Sequence, residues 1–302
     1  MNAKTIDGPK ADEPVDGRKA GQPVEPGTRT DRDELEELEV RLFLEAIHAR
    51  YGYDLRGYSM ESMRRRARAA LAKTGLPHLG ELQHRVLADP QLFARVIEDL
   101  TVQVSEMFRD PSSLRTFRER VVPVLRTYPL LNIWLSGCAT GEEAYSMAVL
   151  LVEEGLYDRC QIYATDISPR ALEHAKQGIY PARHLATYRD NYAASGGAKE
   201  LEAYYTGAYD QIAFAAPLRQ NILFFQHNLV TDHVFAEMQV IFCRNVLIYF
   251  GAELRDRVLD KLAQSLVPGG FLCLGSGERL SRRSLERFGE LSARERIYRL
   301  KG

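Results

Sequence analysis

Sixteen consecutive residues, Leu131 to Ser146, read LNIWLSGCATGEEAYS and constrain the fold more than any other part of the chain. An apolar run ends in a turn bracketed by Gly137 and Gly141 and passes straight into a helix, as a parallel strand does when it delivers its C-terminal end to a ligand. Glycine there lets the backbone approach a bound molecule closely. Neither GxGxxG nor GxxxxGKS is present, and Glu142 and Glu143 stand where a pyrophosphate would meet the helix N-terminus. Carboxylates in that place repel pyrophosphate and suit an amine or a sulfonium. The pattern therefore points away from NAD and ATP and towards S-adenosylmethionine. Taken alone, it equally describes a plain strand-turn-helix corner whose acids favour the first helical turn.

The downstream sequence repeats the alternation. A second strand, Gln161 to Ile167, carries Asp166 about 25 residues after Gly141, where nucleotide-binding sheets place an acid on ribose hydroxyls. Ser168 to Gly178 then reads as a helix with a serine cap, Pro169 in its first turn and a glycine stop. Further apolar runs at Ile222–Phe225 and Val240–Cys243 lead into Gln226, His227 and Asn228, and into Arg244, Asn245 and Tyr249. Polar groups just past strand ends mark the ligand edge of an open α/β sheet. Phe271–Leu274 and Ile297–Leu300 are expected to close the sheet as an antiparallel pair.

With 302 residues, 45% of them hydrophobic, the chain can build one large domain or a large and a small one. A formal charge of −1 makes no overall case for nucleic acid or membrane as partner. No run reaches the roughly 18 apolar residues of a membrane span, and no apolar signal core opens the chain, so a cytoplasmic location is expected. Cys138, Cys160, Cys243 and Cys273 lie in or beside apolar runs at irregular spacing, as reduced buried thiols do; no metal site is read.

Three regions follow. Residues 1 to about 30 hold four prolines and almost no large apolar residue, and read as a disordered tail. From 31 to 109 the apolar period is helical, with Leu35, Leu38, Leu42 and Ala46 in one stretch and Met60, Met63, Ala67, Ala70 and Leu71 in another, giving an N-terminal helical domain. From 110 to 302 an α/β domain follows, entered through a helix at Ser113–Arg126. It is interrupted at about 181–218 by a small β-insertion with turns and short strands near Gly207, Tyr209 and Phe214 and a flexible tip at Ser195–Gly197. In the helical domain, Arg64, Arg65, Arg66 and Arg68 form a basic run. Arg64, Arg65 and Arg68 share the face opposite the methionine-alanine stripe, which is either a solvated face or a docking patch for an acidic partner.

Five segments in order, SGCATGEEAYS, ATDIS with GIYP, QHNL, IFCRNVLIYF and VPGGFLCLGSGE, resemble the CheR-type chemoreceptor methyltransferases, over about Leu35 to Leu300. The resemblance implies a Rossmann-like methyltransferase domain, an N-terminal helical domain and a small inserted β-subdomain. It implies esterification of glutamate side chains on receptor signalling helices, with S-adenosylmethionine as cofactor and S-adenosylhomocysteine as product. Carried onto this chain, it assigns Gln103, Ser105 and Arg109 to the interdomain cofactor contact, where the family usually has Asn, Thr and paired Phe before its Arg; Met107 replaces the first Phe. Gly137 belongs to the cofactor turn. Glu143, with Glu142, faces the methionine moiety, Asp166 the ribose, Asn228 and Leu229 the adenine, and Arg244 and Asn245 line the site beyond the fourth strand. Arg109 is also implied to orient the incoming carboxylate and Tyr249 to line the methyl-transfer pocket.

The resemblance further implies that Arg64, Arg65 and Arg68 dock an acidic receptor helix, and that in some members the β-subdomain holds a receptor C-terminal peptide. Asp166 as a helix cap, Asn228 as a turn cap and Arg244 paired with a nearby glutamate are the plain structural alternatives. Three other functions stay open: a related carboxyl methyltransferase in a non-chemotactic pathway, a noncatalytic cofactor-binding module suggested by the Gln103, Ser105, Met107 and GSGE departures, and a nicotinamide oxidoreductase.

Overall fold

The computed structural model describes residues 31–101 and 105–302, apart from the side chain of Arg32. The expectations for the N-terminal tail and for Gln103 lie outside the described residues. Four helices open the fold: α1 (Asp31–Tyr51), α2 (Met60–Thr74), α3 (Leu79–Ala88) and α4 (Pro90–Leu100). Local chemistry sets their ends. Gly75 stops α2 in the left-handed region at φ 68°, and Asp89 caps α4 by accepting from the backbone N–H groups of Gln91 and Leu92, with Pro90 in the first turn. Phe43, Ile47, Met63, Leu82, Val86 and Val96 form the core of this bundle.

Leu35, Leu38 and Leu42 do not face the core: they are 59, 53 and 54% exposed, while Val40, Phe43, Leu44 and Ile47 are buried. Helix α1 is apolar on two sides, so its periodicity alone does not say which side is covered.

The second region adds α5 (Pro111–Arg120), α6 (Val122–Leu125), α7 (Glu142–Glu153), α8 (Pro169–Gln177), α9 (Leu185–Ala194), α10 (Ala252–Ser265) and α11 (Arg282–Arg287). The single helix expected over Ser113–Arg126 breaks at Val121, because Pro123 supplies no N–H for a bond four residues back. Ten strands run β1 (Leu131–Ser136), β2 (Cys160–Asp166), β3 (Ile179–Pro181), β4 (Tyr205–Ala208), β5 (Gln211–Phe214), β6 (Ile222–Gln226), β7 (Met238–Cys243), β8 (Leu266–Leu274), β9 (Phe288–Ser292) and β10 (Ile297–Leu300). Seven form one sheet in the order β6-β2-β1-β7-β8-β10-β9. The first five are parallel, and β10 pairs antiparallel with both β8 and β9. The closing pair is as expected; β9 was not legible.

Period-two alternation sorts the sheet's side chains into two layers. Ile133, Leu135, Val240 and Phe242 pack on one face with α5 and α7, while Trp134, Ile241 and Cys243 pack on the other with α10. The strand order reverses direction at β1, between β2 and β7. That places a crevice beyond the C-terminal ends of β1 and β7, where open α/β sheets bind ligands.

The insertion contains the three-stranded sheet β3-β5-β4 and also α9, which the sequence reading did not include. Its expected flexible tip is instead packed. Ser195 is fully buried and donates to the Tyr192 carbonyl, and a Cβ on Gly197 would lie 2.3 Å from the Tyr192 ring. Glu153, at the end of α7, ties the insertion down: it accepts from Tyr192 Oη, from Tyr204 Oη at 3.0 Å, from the Ala198 N–H at 3.1 Å and from Arg118 at 2.5 Å.

Candidate active site

The glycine turn after β1 is locked to the end of β2. The N–H groups of Gly137 and Cys138 donate to the Thr165 carbonyl, and the Ala139 N–H donates to Asp166 Oδ2 at 2.9 Å. Gly137 sits at φ 78°, and a Cβ there would lie 2.4 Å from Val246 Cγ2, so only glycine suits this position. Asp166 Oδ1 accepts from the Ser168 N–H at 2.9 Å, and its backbone carbonyl accepts from His227. Asp166 thus joins the ends of β1, β2 and β6, as well as facing the crevice. It does not cap α8, which Ser168 caps by accepting from Ala171.

A second clamp holds the entry segment before α5. Phe108 and Asp110 both sit at φ 52°, a region costly for residues with a side chain. The Phe108 N–H donates to Ser146 Oγ at 2.9 Å. Arg244, buried at the end of β7, donates through Nη2 to the Arg109 carbonyl at 2.5 Å and to Asp110 Oδ2 at 3.0 Å, and through Nη1 to Glu143 Oε1 at 2.6 Å. The alternative of an Arg244–glutamate pair is therefore realised, and the same pair builds the cavity wall.

These clamps enclose about 210 Å³ of space open to water. Its walls include Ser105, Arg109, Gly137, Glu143, Asp166, Asn228, Leu229, Arg244, Asn245 and Tyr249, so ten of the residues singled out in the sequence meet in one place. Glu142 does not join them: it is buried and accepts from Thr140 Oγ1 at 2.6 Å. Arg64, Arg65 and Arg68 line a separate cleft, together with Ser59, Ile248 and Tyr249. Tyr249 belongs to both clefts.

Several wall residues escaped the sequence reading. Arg66 belongs to the basic run in sequence, yet it is buried, with its guanidinium 4.2 Å over the Tyr249 ring and Nη1 donating to the Leu100 carbonyl at 2.6 Å. The available signal was position: residue 66 falls on the helix face of Met63 and Ala70, opposite Arg64, Arg65 and Arg68. Glu278 lies behind the wall. It is 4% exposed and accepts backbone N–H bonds from Gly275, Asn245, Val246, Leu247 and Ile248 at 2.7 to 3.3 Å. It thereby fixes the turn that carries Asn245, at φ 60°, and Tyr249.

His227 is buried among Trp134 and Phe235. Its Nε2 lies 3.1 Å from the His233 carbonyl, which can only accept, so Nε2 carries the proton. Burial lowers its pKa below the ordinary histidine value. The unfolded chain then takes up the proton more readily than the folded one, so stability falls as pH drops through about 6.5. Thermal midpoints measured from about pH 8 to about pH 5 should decline, and His227→Gln should flatten the decline; an unchanged slope would contradict this account.

The segment 103–297 matches the family described as CheR methyltransferase, SAM binding domain, and 30–101 matches CheR methyltransferase, all-alpha domain. The chain belongs to the CheR methyltransferase family. A Pseudomonas putida relative, Cher3, named as a methyltransferase, is 47% identical over 264 residues, covering 87% of this chain and 97% of its own length. The chemotaxis protein methyltransferase of Listeria monocytogenes is 29% identical, over 81% of this chain and 91% of its own. Among solved structures, the N-methyltransferase NodS of Bradyrhizobium japonicum superposes with a TM-score of 0.34 at 16% identity, over 61% of this chain and 87% of that one.

The CheR cavity suits S-adenosylmethionine on its own chemistry. Its wall carries three acids, Glu106, Glu143 and Asp166, and three arginines, Arg66, Arg109 and Arg244. A zwitterionic ligand with an added sulfonium complements such a mixture. Four buried side-chain atoms of wall residues have no hydrogen-bond partner among the described residues: Arg66 Nη2, His227 Nδ1, Arg244 Nε and Asn245 Oδ1. Such orphans concentrate where a protein is built to meet something else. Among the described residues no group of His, Cys, Asp and Glu is placed to hold a metal ion, and no helix is long and apolar enough to cross a membrane.

Proposed function

We infer that this CheR protein transfers methyl groups from S-adenosylmethionine to glutamate side chains of chemoreceptor signalling helices in the cytoplasm. The observation that carries this reading is the junction at Tyr249, where the cofactor cavity meets the arginine cleft of α2. An acidic helix lying along Arg64, Arg65 and Arg68 would present a carboxylate at that junction. Relatives named chemotaxis protein methyltransferase support the choice of partner.

In this reading Ser105, Glu143, Asp166, Asn228, Leu229 and Asn245 hold the cofactor, with Gly137 giving the backbone room to approach it. The cofactor supplies a methyl group on a positively charged sulfur. A glutamate carboxylate, with an ordinary pKa of about 4.3, is already ionised and needs no base. The protein's task is therefore alignment, which can supply about 7 to 11 kcal/mol of the barrier. Arg109 orients the carboxylate, and Tyr249, backed by the Arg66 guanidinium, forms the wall against which it is aligned. Tight bidentate pairing to Arg109 would blunt the nucleophile, so a single positioning contact serves better. The outer edge of β4 offers a strand position to an extended receptor C-terminal peptide, a tether that would raise local concentration.

Within the arginine cleft, Arg64 is paired with Asp33 and Glu36, and Arg68 with Glu36. Arg65 is exposed and has no carboxylate partner among the described residues, which leaves it the readiest contact for an incoming acid. Arg65→Glu is expected to raise the KM for an acidic receptor fragment about tenfold or more, with the cofactor Kd unchanged. Equal kinetics in the two proteins would remove the arginine cleft from the reading.

A further inference from the structure

The exposed leucine stripe of α1 has no covering element among the described residues. Leu35, Leu38 and Leu42, each more than half exposed, fall within one narrow sector of the helix, opposite the core-facing Val40, Phe43 and Ile47. The sector continues through Ala46 and Ala49, so its first half carries large side chains and its second half small ones. Charge follows the same direction on its flank: Arg41, 63% exposed and paired with Glu37, and Glu45, 59% exposed and paired with Arg56, lie on one side of the stripe, and both are exposed enough to exchange partners.

A surface ordered in this way is complementary to itself when reversed. We propose that α1 pairs antiparallel with α1 of a second copy of this chain about a two-fold axis near Phe43. Leu38 then meets Ala49 of the second copy and Leu42 meets its Ala46, large against small, while Arg41 of each copy faces Glu45 of the other. A parallel pairing sets leucine against leucine and puts the two Arg41–Glu45 flanks on opposite sides of the seam, so it loses both matches. The 30 residues that precede α1 contain almost no large apolar side chains. The contact involves one helix about 31 Å long. Its area falls with weak, reversible interfaces, below about 1,200 Å².

Sedimentation equilibrium on the full chain, from about 1 µM to about 1 mM, tests this. The expected result is concentration-dependent conversion from monomer to dimer, with no larger species. Leu38→Asp should weaken association at least tenfold without changing helical content, because the side chain is outside the core. Arg41→Glu should weaken it similarly, and adding Glu45→Arg to Arg41→Glu should restore it. A short thiol cross-linker should join copies through Leu42→Cys and not through Leu35→Cys, whose two positions lie about 25 Å apart along the axis. A monomer throughout the range, failure of the charge exchange to restore association, or cross-linking through Leu35→Cys alone would each overturn the proposal.

Discussion

An Arg244→Met variant is expected to lose cofactor binding and to unfold at a markedly lower denaturant midpoint. Arg244 is 6% exposed and spends its guanidinium on Glu143, Asp110 and the Arg109 carbonyl. Methionine keeps much of the bulk and none of the charge. Two carboxylates are then left facing a poorly solvated wall without their cation, a defect that costs about 3 to 5 kcal/mol where one partner of a buried pair is removed. The entry segment is also released, because Phe108 and Asp110 are kept at φ 52° only by what surrounds them. Urea unfolding and calorimetric titration with S-adenosylhomocysteine read both effects. Retention of full affinity would show that Glu143 and Arg109 hold their places without Arg244.

The second large effect is expected at Glu278, which touches neither cavity. Glu278→Ala removes the acceptor for five backbone N–H groups of the Gly275 and Asn245–Ile248 turns, and at about 1 kcal/mol or less for each bond the total loss is about 3 kcal/mol. Tyr249 rides on the freed turn. Misplacement of a wall by about 1 Å is enough to lower kcat on the order of 100-fold. Glu278→Gln retains one acceptor oxygen but sets an amide NH2 among backbone donors, so it should fall between alanine and wild type. The decisive readout is the split: kcat drops while the cofactor Kd moves much less. Parallel loss of both would mean that Glu278 supports the whole cavity and not the Tyr249 turn in particular.

The α/β part of the fold was legible because its signals are local. The strand-turn-helix at Leu131–Ser146, the Ser168 and Pro169 helix start with its Gly178 stop, and the runs leading to Asn228 and Arg244 each state their structure within a few residues. What remained hidden depends on contacts distant in sequence. Glu278 reads as one acid in a glycine-rich turn until the fold brings Asn245 to Ile248 against it. Glu142 and Glu143 are neighbours in the same helical turn, yet one reaches Arg244 and the other Thr140, a choice set by residues far along the chain. Helix α1 is legible as a helix, but with two apolar faces its pattern does not say which one is covered. In the insertion, Ser195–Gly197 carries the composition of a loop, but Glu153 and Tyr192 turn it into packed structure.

The most direct test is transfer of radiolabelled methyl from S-adenosylmethionine to cytoplasmic receptor fragments from the same organism, followed by mild base and capture of volatile methanol. The account expects label on the receptor that base releases as methanol, as a carboxyl ester requires, and little label when Arg109 is replaced by alanine in a protein that still folds. Tight cofactor binding with no base-labile label on any receptor fragment would contradict it.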